Sequence, residues 1–104
     1  MIGRGTTPTI TYKFEMVDVT DIVVAYFTLR QGALVIEKTL EEADVVHTEE
    51  DNYISWRLTQ AETLLITDKS NVEMQCRWKL RDGTAGESPL ANESALRILK
   101  DGEI

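Results

Sequence analysis

Short segments of alternating apolar and polar residues make up most of the chain. The clearest is Asn71–Arg81, whose apolar positions are Val72, Met74, Cys76, Trp78 and Leu80. A period of two predicts a strand with one buried and one solvated face. Weaker segments of the same kind predict strands at Ile10–Phe14, Ile22–Arg30, Ala33–Leu40, Val45–His47 and Tyr53–Thr59.

Two consecutive segments predict a β-hairpin whose two-residue turn is Gln31-Gly32. A turn there pairs Leu29 with Leu34 and gathers the apolar side chains on one face. That predicted core face consists of Val23, Ala25, Phe27, Leu29, Leu34, Ile36 and Leu40. Lys38 is the charged exception on this face, near a strand end where its amine can reach water.

Local signals between the strands predict turns and one short helix. Thr59 and Glu62 have the spacing of a capping box, which predicts a helical turn over Gln60–Leu64. Asp82-Gly83 is typical of a tight turn.

The segment after that turn has two interpretations. Ser88 and Pro89 could begin a helix that ends before Gly102, and local propensity favours this. Leu90–Ile98 also alternates weakly, as a strand would.

The strands recur at roughly 8–12-residue spacing, which predicts a β-sandwich or barrel. With 104 residues the chain is expected to form a single domain, 1–104. Residues 1–9 are predicted to be an extended N-terminal arm, because Pro8 cannot donate within a sheet.

Composition and charge exclude several classes of function. Eleven basic and 18 acidic residues give a net charge of −7, which argues against partners such as nucleic acid or an anionic membrane. No apolar run approaches the roughly 20 residues of a membrane span, and the N-terminus does not resemble a signal peptide. A single cysteine cannot form an internal disulfide.

Catalytic and metal-binding residues are not indicated. His47 lacks a second histidine or a cysteine at ligand spacing and is interpreted as a surface residue beside an acidic loop. The acidic clusters at 41–44 and 49–51 lack a calcium-loop pattern and are interpreted as solvated loops that protect sheet edges. Cys76, Trp56 and Trp78 are predicted to lie in the core.

The outward face of the predicted hairpin is more apolar than a solvated face usually is. Val24, Tyr26, Thr28 and Val35 all point that way. Two interpretations stay open at this point: another strand of the same domain covers the patch, or it is a protein–protein contact.

Four stretches together resemble a known group of proteins. They are Arg4–Thr9, Leu58–Thr63, Arg77–Ala85 and Arg97–Gly102. Over nearly its whole length the chain is similar to small proteins encoded in phages and prophages of Firmicutes. Their fold resembles the N-terminal immunoglobulin-like domain of the phage baseplate upper protein.

The resemblance implies an all-β fold, an immunoglobulin-like antiparallel β-sandwich with one short helical turn. Relatives have a final strand after the Asp-Gly-Thr-Ala turn, so we expect a strand near an edge at Leu90–Ile98, although Pro89, Asn92 and Glu93 weaken it. The motifs are structural, so they carry no active-site residues, metal or cofactor over to this chain.

The function expected from the resemblance is a non-enzymatic structural or adaptor component of a phage or prophage tail or baseplate. Such a protein is made in the bacterial cytoplasm and incorporated in the virion, with other tail proteins or further copies of itself as partners. The N-terminal arm could add a strand to a neighbour's sheet. The expected interface residues are Thr6, Thr7, Pro8, Val24, Tyr26 and Val35.

The alternative is a small β-sandwich binding module that recognises a cell-surface glycan or a host protein. Stacking of a sugar on an outward aromatic ring would carry that function, and Tyr26 and Tyr53 are the candidates.

Overall fold

The computed structural model describes residues 2–89, 91–93 and 95–96. Over these ranges the chain forms strands, one α-helix and two single-turn 3-10 helices. The strands are β1 (Ile2–Gly3), β2 (Thr9–Lys13), β3 (Ile22–Gln31), β4 (Leu34–Thr39), β5 (Asp44–His47), β6 (Asn52–Arg57), β7 (Val72–Leu80), β8 (Ala85–Glu87), β9 (Ala91–Glu93) and β10 (Ala95–Leu96). The helix α1 is Gln60–Leu64, and the 3-10 turns are Val19–Asp21 and Leu40–Glu42.

The strands form two antiparallel sheets. The smaller sheet has the order β2-β6-β5, and the larger has the order β4-β3-β7, with β8 and β9 both pairing with the far edge of β7. A separate parallel pair joins β1 to β10. The all-β sandwich with one short helix predicted from the sequence is therefore confirmed.

The core lies between the two sheets, where the alternation placed it. Trp56 of the smaller sheet stacks on Phe27 of the larger sheet, with ring centroids 5.7 Å apart. The Trp56 indole N–H donates to the carbonyl of Thr39 at 2.9 Å, which satisfies its polar atom inside the core. Trp78 is half-buried and meets Phe14 edge-to-face at 4.9 Å. Both tryptophans thus point inward, as predicted.

The predicted hairpin turn is wrong by one residue. Gln31 remains in β3, and the turn begins at Gly32, whose φ of +58° is favourable for glycine. Leu29 consequently pairs with Ile36 instead of Leu34. Because the partner shifts by two positions, each side chain stays on its predicted face.

Gln31 stays in the strand because its side chain is buried and fully hydrogen-bonded. The amide nitrogen donates to the carbonyls of Thr67 at 2.8 Å and Ser70 at 2.7 Å. The amide oxygen accepts from the backbone N–H of Thr67 at 2.8 Å. These bonds hold the loop before β7 against the end of the hairpin, which sequence patterning alone could not indicate.

The prediction that Val23 lies in the core is also wrong. A register shift between Ile22 and Val24 turns Ile22 inward and leaves Val23 48% exposed. A β-bulge of this kind changes which residue of a strand faces the core.

The helix α1 forms where the capping box predicted it. The Thr59 hydroxyl accepts from the Glu62 N–H at 3.1 Å, and the Glu62 carboxylate accepts from the Thr59 N–H at 2.8 Å. The same carboxylate pairs with the amine of Lys38 at 3.0 Å. This ion pair neutralises Lys38, the charged residue on the inner face of the hairpin, at the edge of the core.

The N-terminal arm packs against its own domain. Ile2 is buried in the core and belongs to β1, paired with β10. Arg4 donates to the carbonyls of Leu64 and Ile66, just beyond the C-terminal end of α1. A cation at a helix C-terminus satisfies carbonyls that have no partner within the helix. Ile2 and Arg4 thus bind the arm to its own domain.

The expected strand at Leu90–Ile98 is described in two pieces, and only the first of them pairs with β7; the second, β10, pairs in parallel with β1. β9 pairs with β7, with Ala91 opposite Met74. Between β8 and β9 the Ser88 hydroxyl accepts from the Cys76 N–H at 2.9 Å, so a side chain replaces a backbone acceptor where the edge is interrupted. Within the predicted Leu90–Ile98 strand, residues 90, 94 and 97–98 lie outside the described residues.

Candidate interaction surface

The outer face of the larger sheet carries an exposed apolar and aromatic patch. Val24 and Tyr26 are neighbours on the outward side of β3, 39% and 43% exposed. β4 ends at Thr39, opposite Tyr26, and the chain then turns away in a 3-10 helix. Residues of β3 before Tyr26 therefore have no β4 partner, and the side chains of Val24 and Tyr26 remain partly exposed on the outer face.

Two shallow depressions flank the Tyr26 ring. One, of about 290 Å³, lies on the β4 side and is lined by Val23, Thr39 and Glu41 among others. The other, of about 200 Å³, lies on the β7 side and is lined by Arg77 and Lys79 among others. Val24 and Tyr26 line both depressions. The surface is therefore a raised aromatic ridge between two hollows.

Charge is distributed unequally across this ridge. Tyr26 pairs with Arg77 and Val24 pairs with Lys79, so two cations of β7 lie directly beside the apolar residues. Glu41 lies on the opposite side, in the hollow next to β4. We call Val24, Tyr26, Arg77, Lys79 and Glu41 the Tyr26 surface.

Arg77 is held only weakly by its ion pair within the sheet. Arg77 approaches Glu87 of β8 at 4.0 Å, and both side chains are largely exposed. An exposed pair at that distance contributes little, about 0–1 kcal/mol at most. Arg77 is therefore able to exchange this partner for one on another molecule at small cost.

The predicted interface residue Val35 does not belong to the Tyr26 surface. It is exposed and outward-facing, as expected, but it pairs with Arg30. Thr39, which faces Tyr26, is four residues further along β4. At about 3.3 Å per residue the two sites are about 13 Å apart.

The predicted interface residues of the arm lie elsewhere and are engaged within the domain. The Thr6 carbonyl accepts from the buried hydroxyl of Thr63 at 2.8 Å. The Pro8 carbonyl accepts from the backbone N–H of Leu58 at 2.9 Å. Thr7 accepts from Arg57 at 3.2 Å. These contacts bind the arm to the end of β6 and to α1, so the structure does not bring it together with Val24 and Tyr26.

His47 has a structural environment on the smaller sheet. Its Nδ1 lies 3.0 Å from Oδ1 of Asn52 and 3.5 Å from Oδ1 of Asp18. The Asn52 amide nitrogen donates to the carbonyls of Phe14 and Val17, which fixes its oxygen as the acceptor facing His47. The ring therefore belongs to a network that ties the loop after β2 to β6, and it is an exposed residue, as predicted.

Asp18 belongs to the same network. Hydrogen bonds from the Thr20 hydroxyl and backbone N–H, aided by the nearby His47, lower the pKa of its carboxyl. Across the part of the chain that the structure describes, no three His, Cys, Asp or Glu side chains lie close enough to hold a metal ion.

Cys76 is buried, as predicted. Burial raises the pKa of its thiol to about 12, which keeps it protonated and unreactive at neutral pH. Burial likewise raises the pKa of Tyr12 to about 12; a charge on Cys76 adds to that shift, and a hydrogen bond with Ser88 opposes it. Neither group is in a state suited to nucleophilic or acid–base work near pH 7.

The basic half of the Tyr26 surface was missed by sequence reasoning. Arg77 and Lys79 were correctly placed on the outward face of β7, but their adjacency to Tyr26 and Val24 depends on the β3–β7 register. One available signal was their i, i+2 spacing, which puts two cations on one face of a strand in a chain of net charge −7.

Comparisons with known proteins add no relatives: no family model, no curated protein and no solved structure matches the chain. Among the described helices, none has the length and apolar character needed to cross a membrane.

Proposed function

We propose that this protein is a non-enzymatic structural or adaptor component of a phage or prophage tail or baseplate, and that it acts by assembly with other virion proteins. Two things support the proposal. The sequence resembles small structural proteins of phages and prophages, and the exposed ridge of the larger sheet has the composition of a protein contact.

The observation that carries the proposal is the exposure of Val24 and Tyr26 beside Arg77 and Lys79. Tyrosine and arginine are enriched where proteins bind one another, because each combines a large contact area with a polar group that directs the partner. The hollows on both sides of Tyr26 are shallow, which suits a flat partner better than an enclosed small molecule.

Co-purification with particles tests this function. Particles from an induced lysogen carrying the gene are purified on a density gradient, and the chain is quantified by mass spectrometry. We expect the wild-type chain in the particles and a strong reduction for Tyr26→Asp. Val35→Asp is the matched control, because Val35 is an exposed residue of the same sheet face outside the Tyr26 surface. A chain that is absent from particles contradicts the proposal, as does equal loss for both variants.

A second candidate function is recognition of a cell-surface glycan, and one observation favours Tyr26 as its site. Its ring is exposed beside two hollows, whereas Tyr53 is half-buried against neighbouring strands. A sugar ring could stack on Tyr26, and Arg77 and Lys79 would favour an acidic sugar. A glycan array with the wild-type chain and Tyr26→Ala tests this: binding that is lost in the variant supports it, and no binding rejects it.

A further inference from the structure

We propose that the first occupant of the Tyr26 surface is a second copy of this chain, which packs its larger sheet face-to-face on the first around a two-fold axis parallel to β3. The proposal rests on the proposed function in one respect, since it assigns a partner to the surface on which that function depends. The layout of charges on the face and the size of the face support it.

The layout of charges on the face is self-complementary. Glu41, in the 3-10 turn after β4, lines the hollow on one side of Val24, and Lys79 of β7 pairs with Val24 on the other side. A two-fold axis along β3, lying between the two faces, places the β4 side of each copy over the β7 side of the other. Glu41 of each copy then meets Lys79 of the other, and this contact occurs twice.

The next row of the face agrees with the same axis. There the order is Thr39, Tyr26 and Arg77 from β4 to β7. The two Tyr26 rings meet at the axis, while Arg77 lies over the uncharged Thr39 and next to the acidic β4 side of the other copy. The apolar and aromatic residues of β3 thus meet on the axis and are covered in both copies, with the charged residues on either side of them.

One residue restricts where the two copies touch. Arg30 is also on the outward side of β3, and it would face its own equivalent across the axis. Arg30 is four residues from Tyr26, about 13 Å along the strand. Each sheet is twisted, so two packed sheets diverge with distance from the point where they touch. The contact is therefore centred on Val24 and Tyr26.

The size of the face predicts a weak dimer. β3 has ten residues and the sheet is four strands wide, so the whole face covers roughly 600 Å² at about 3.3 Å per residue and about 4.8 Å per strand. Stable interfaces bury about 800 Å² per partner, and smaller ones are transient. We expect a dissociation constant on the order of 10–100 μM that weakens with salt, because its charged contacts lie near solvent.

Charge reversal tests the arrangement directly. Sedimentation equilibrium of the full chain is compared for the wild type, Glu41→Lys, Lys79→Glu and the double variant. Each single reversal turns two attractive contacts into two repulsive ones, and we expect it to weaken the dimer about tenfold. The double variant restores opposite charges and should dimerise like the wild type. An equimolar mixture of the two single variants should form mixed dimers for the same reason.

Matched controls separate this contact from a general effect of charge. Glu49→Lys and Lys69→Glu make the same changes at exposed positions in the β5–β6 loop and in the loop before β7. We expect both controls to dimerise within about twofold of the wild type, because changes outside the contact leave its charge pairs intact. A wild type that stays monomeric at millimolar concentration and low salt overturns the proposal. So does a double variant or a mixture that fails to recover, or a control that weakens dimerisation as much as Glu41→Lys.

The two proposals fail separately. A monomeric chain that still co-purifies with particles overturns the dimer and supports the proposed function. A dimer with the expected charge dependence that is absent from particles supports the dimer and contradicts the virion role.

Discussion

The buried side chain of Gln31 provides the sharpest test of how this fold is held together. Replacing it in Gln31→Leu keeps a side chain of similar size in the hairpin but removes three hydrogen bonds to the backbone of the loop before β7. The hydrophobic face of the hairpin is unaffected, so the change isolates the polar attachment of one loop.

The magnitude follows from the number of bonds. A neutral intramolecular hydrogen bond contributes about 0.5–1.5 kcal/mol net, so three contribute about 2–4 kcal/mol. Thr67 and Ser70 are exposed, so water replaces part of what is lost once the loop moves outward. The leucine also adds some apolar burial. We expect the free energy of unfolding to fall by about 2 kcal/mol.

Urea denaturation followed by tryptophan fluorescence measures this loss, and limited trypsin digestion at Lys69 reports whether the loop is released in the native state. The matched control is Gln75→Leu, because Gln75 makes a single bond of 3.0 Å to the carbonyl of Ser88. We expect about 1 kcal/mol or less for the control and no change in cleavage at Lys69. Equal losses for the two variants, or an unchanged rate of cleavage in Gln31→Leu, would refute the reasoning.

Three further predictions concern the core and its edges. In Gly86→Ala the new Cβ would lie 2.6 Å from the Trp78 ring. We expect the free energy of unfolding to fall by about 1–3 kcal/mol and the fluorescence emission of Trp78 to change. An unchanged emission spectrum would contradict the close contact. The fold raises the pKa of the Cys76 thiol from 9.0 to about 12, so this thiol ionises at lower pH in the unfolded chain than in the folded one. The free energy of unfolding should therefore fall by about 1.4 kcal/mol per pH unit between these two values. Urea titrations at several pH values should show a smaller slope for Cys76→Ala. The pKa of Tyr12 is raised from 10.0 to about 12, so its hydroxyl also lowers the free energy of unfolding above pH 10. Cys76→Ala retains Tyr12, so part of the slope above pH 10 should remain in that variant. Ile2→Ala should cost about 2 kcal/mol in thermal unfolding, whereas a free arm would cost nothing.

Local features of the sequence were sufficient wherever a structure depends on its own residues. The alternation over Asn71–Arg81 predicted β7, because a strand with one buried and one solvent-exposed face alternates apolar and polar residues. The capping residues predicted α1 with its observed bounds Gln60–Leu64, because both bonds of the box lie within one helical turn. The alternation within β3 likewise predicted that Val24 and Tyr26 point outward.

The failures arise where a distant residue decides a local conformation. The hairpin turn moved because the Gln31 side chain binds a loop 36 residues away, a contact that no local propensity encodes. Pairing of β9 with β7, together with the bond from Cys76 to Ser88, overrode the local preference for a helix after Pro89. The contacts of the N-terminal arm could not be predicted locally, because the carbonyls that Arg4 binds are 60 and 62 residues away.

The sequence by itself determined the fold class, the inward positions of the tryptophans and the outward positions of Tyr26, Arg77 and Lys79, because alternation assigns strand residues to a face wherever no bulge interrupts the strand. Only the tertiary structure decided that Tyr26 and Arg77 are neighbours while Val35 is distant, because adjacency within a face depends on the register between strands. Register is fixed by bulges, turns and buried polar groups spread along the whole chain, and the candidate surface is therefore a property of the assembled sheet.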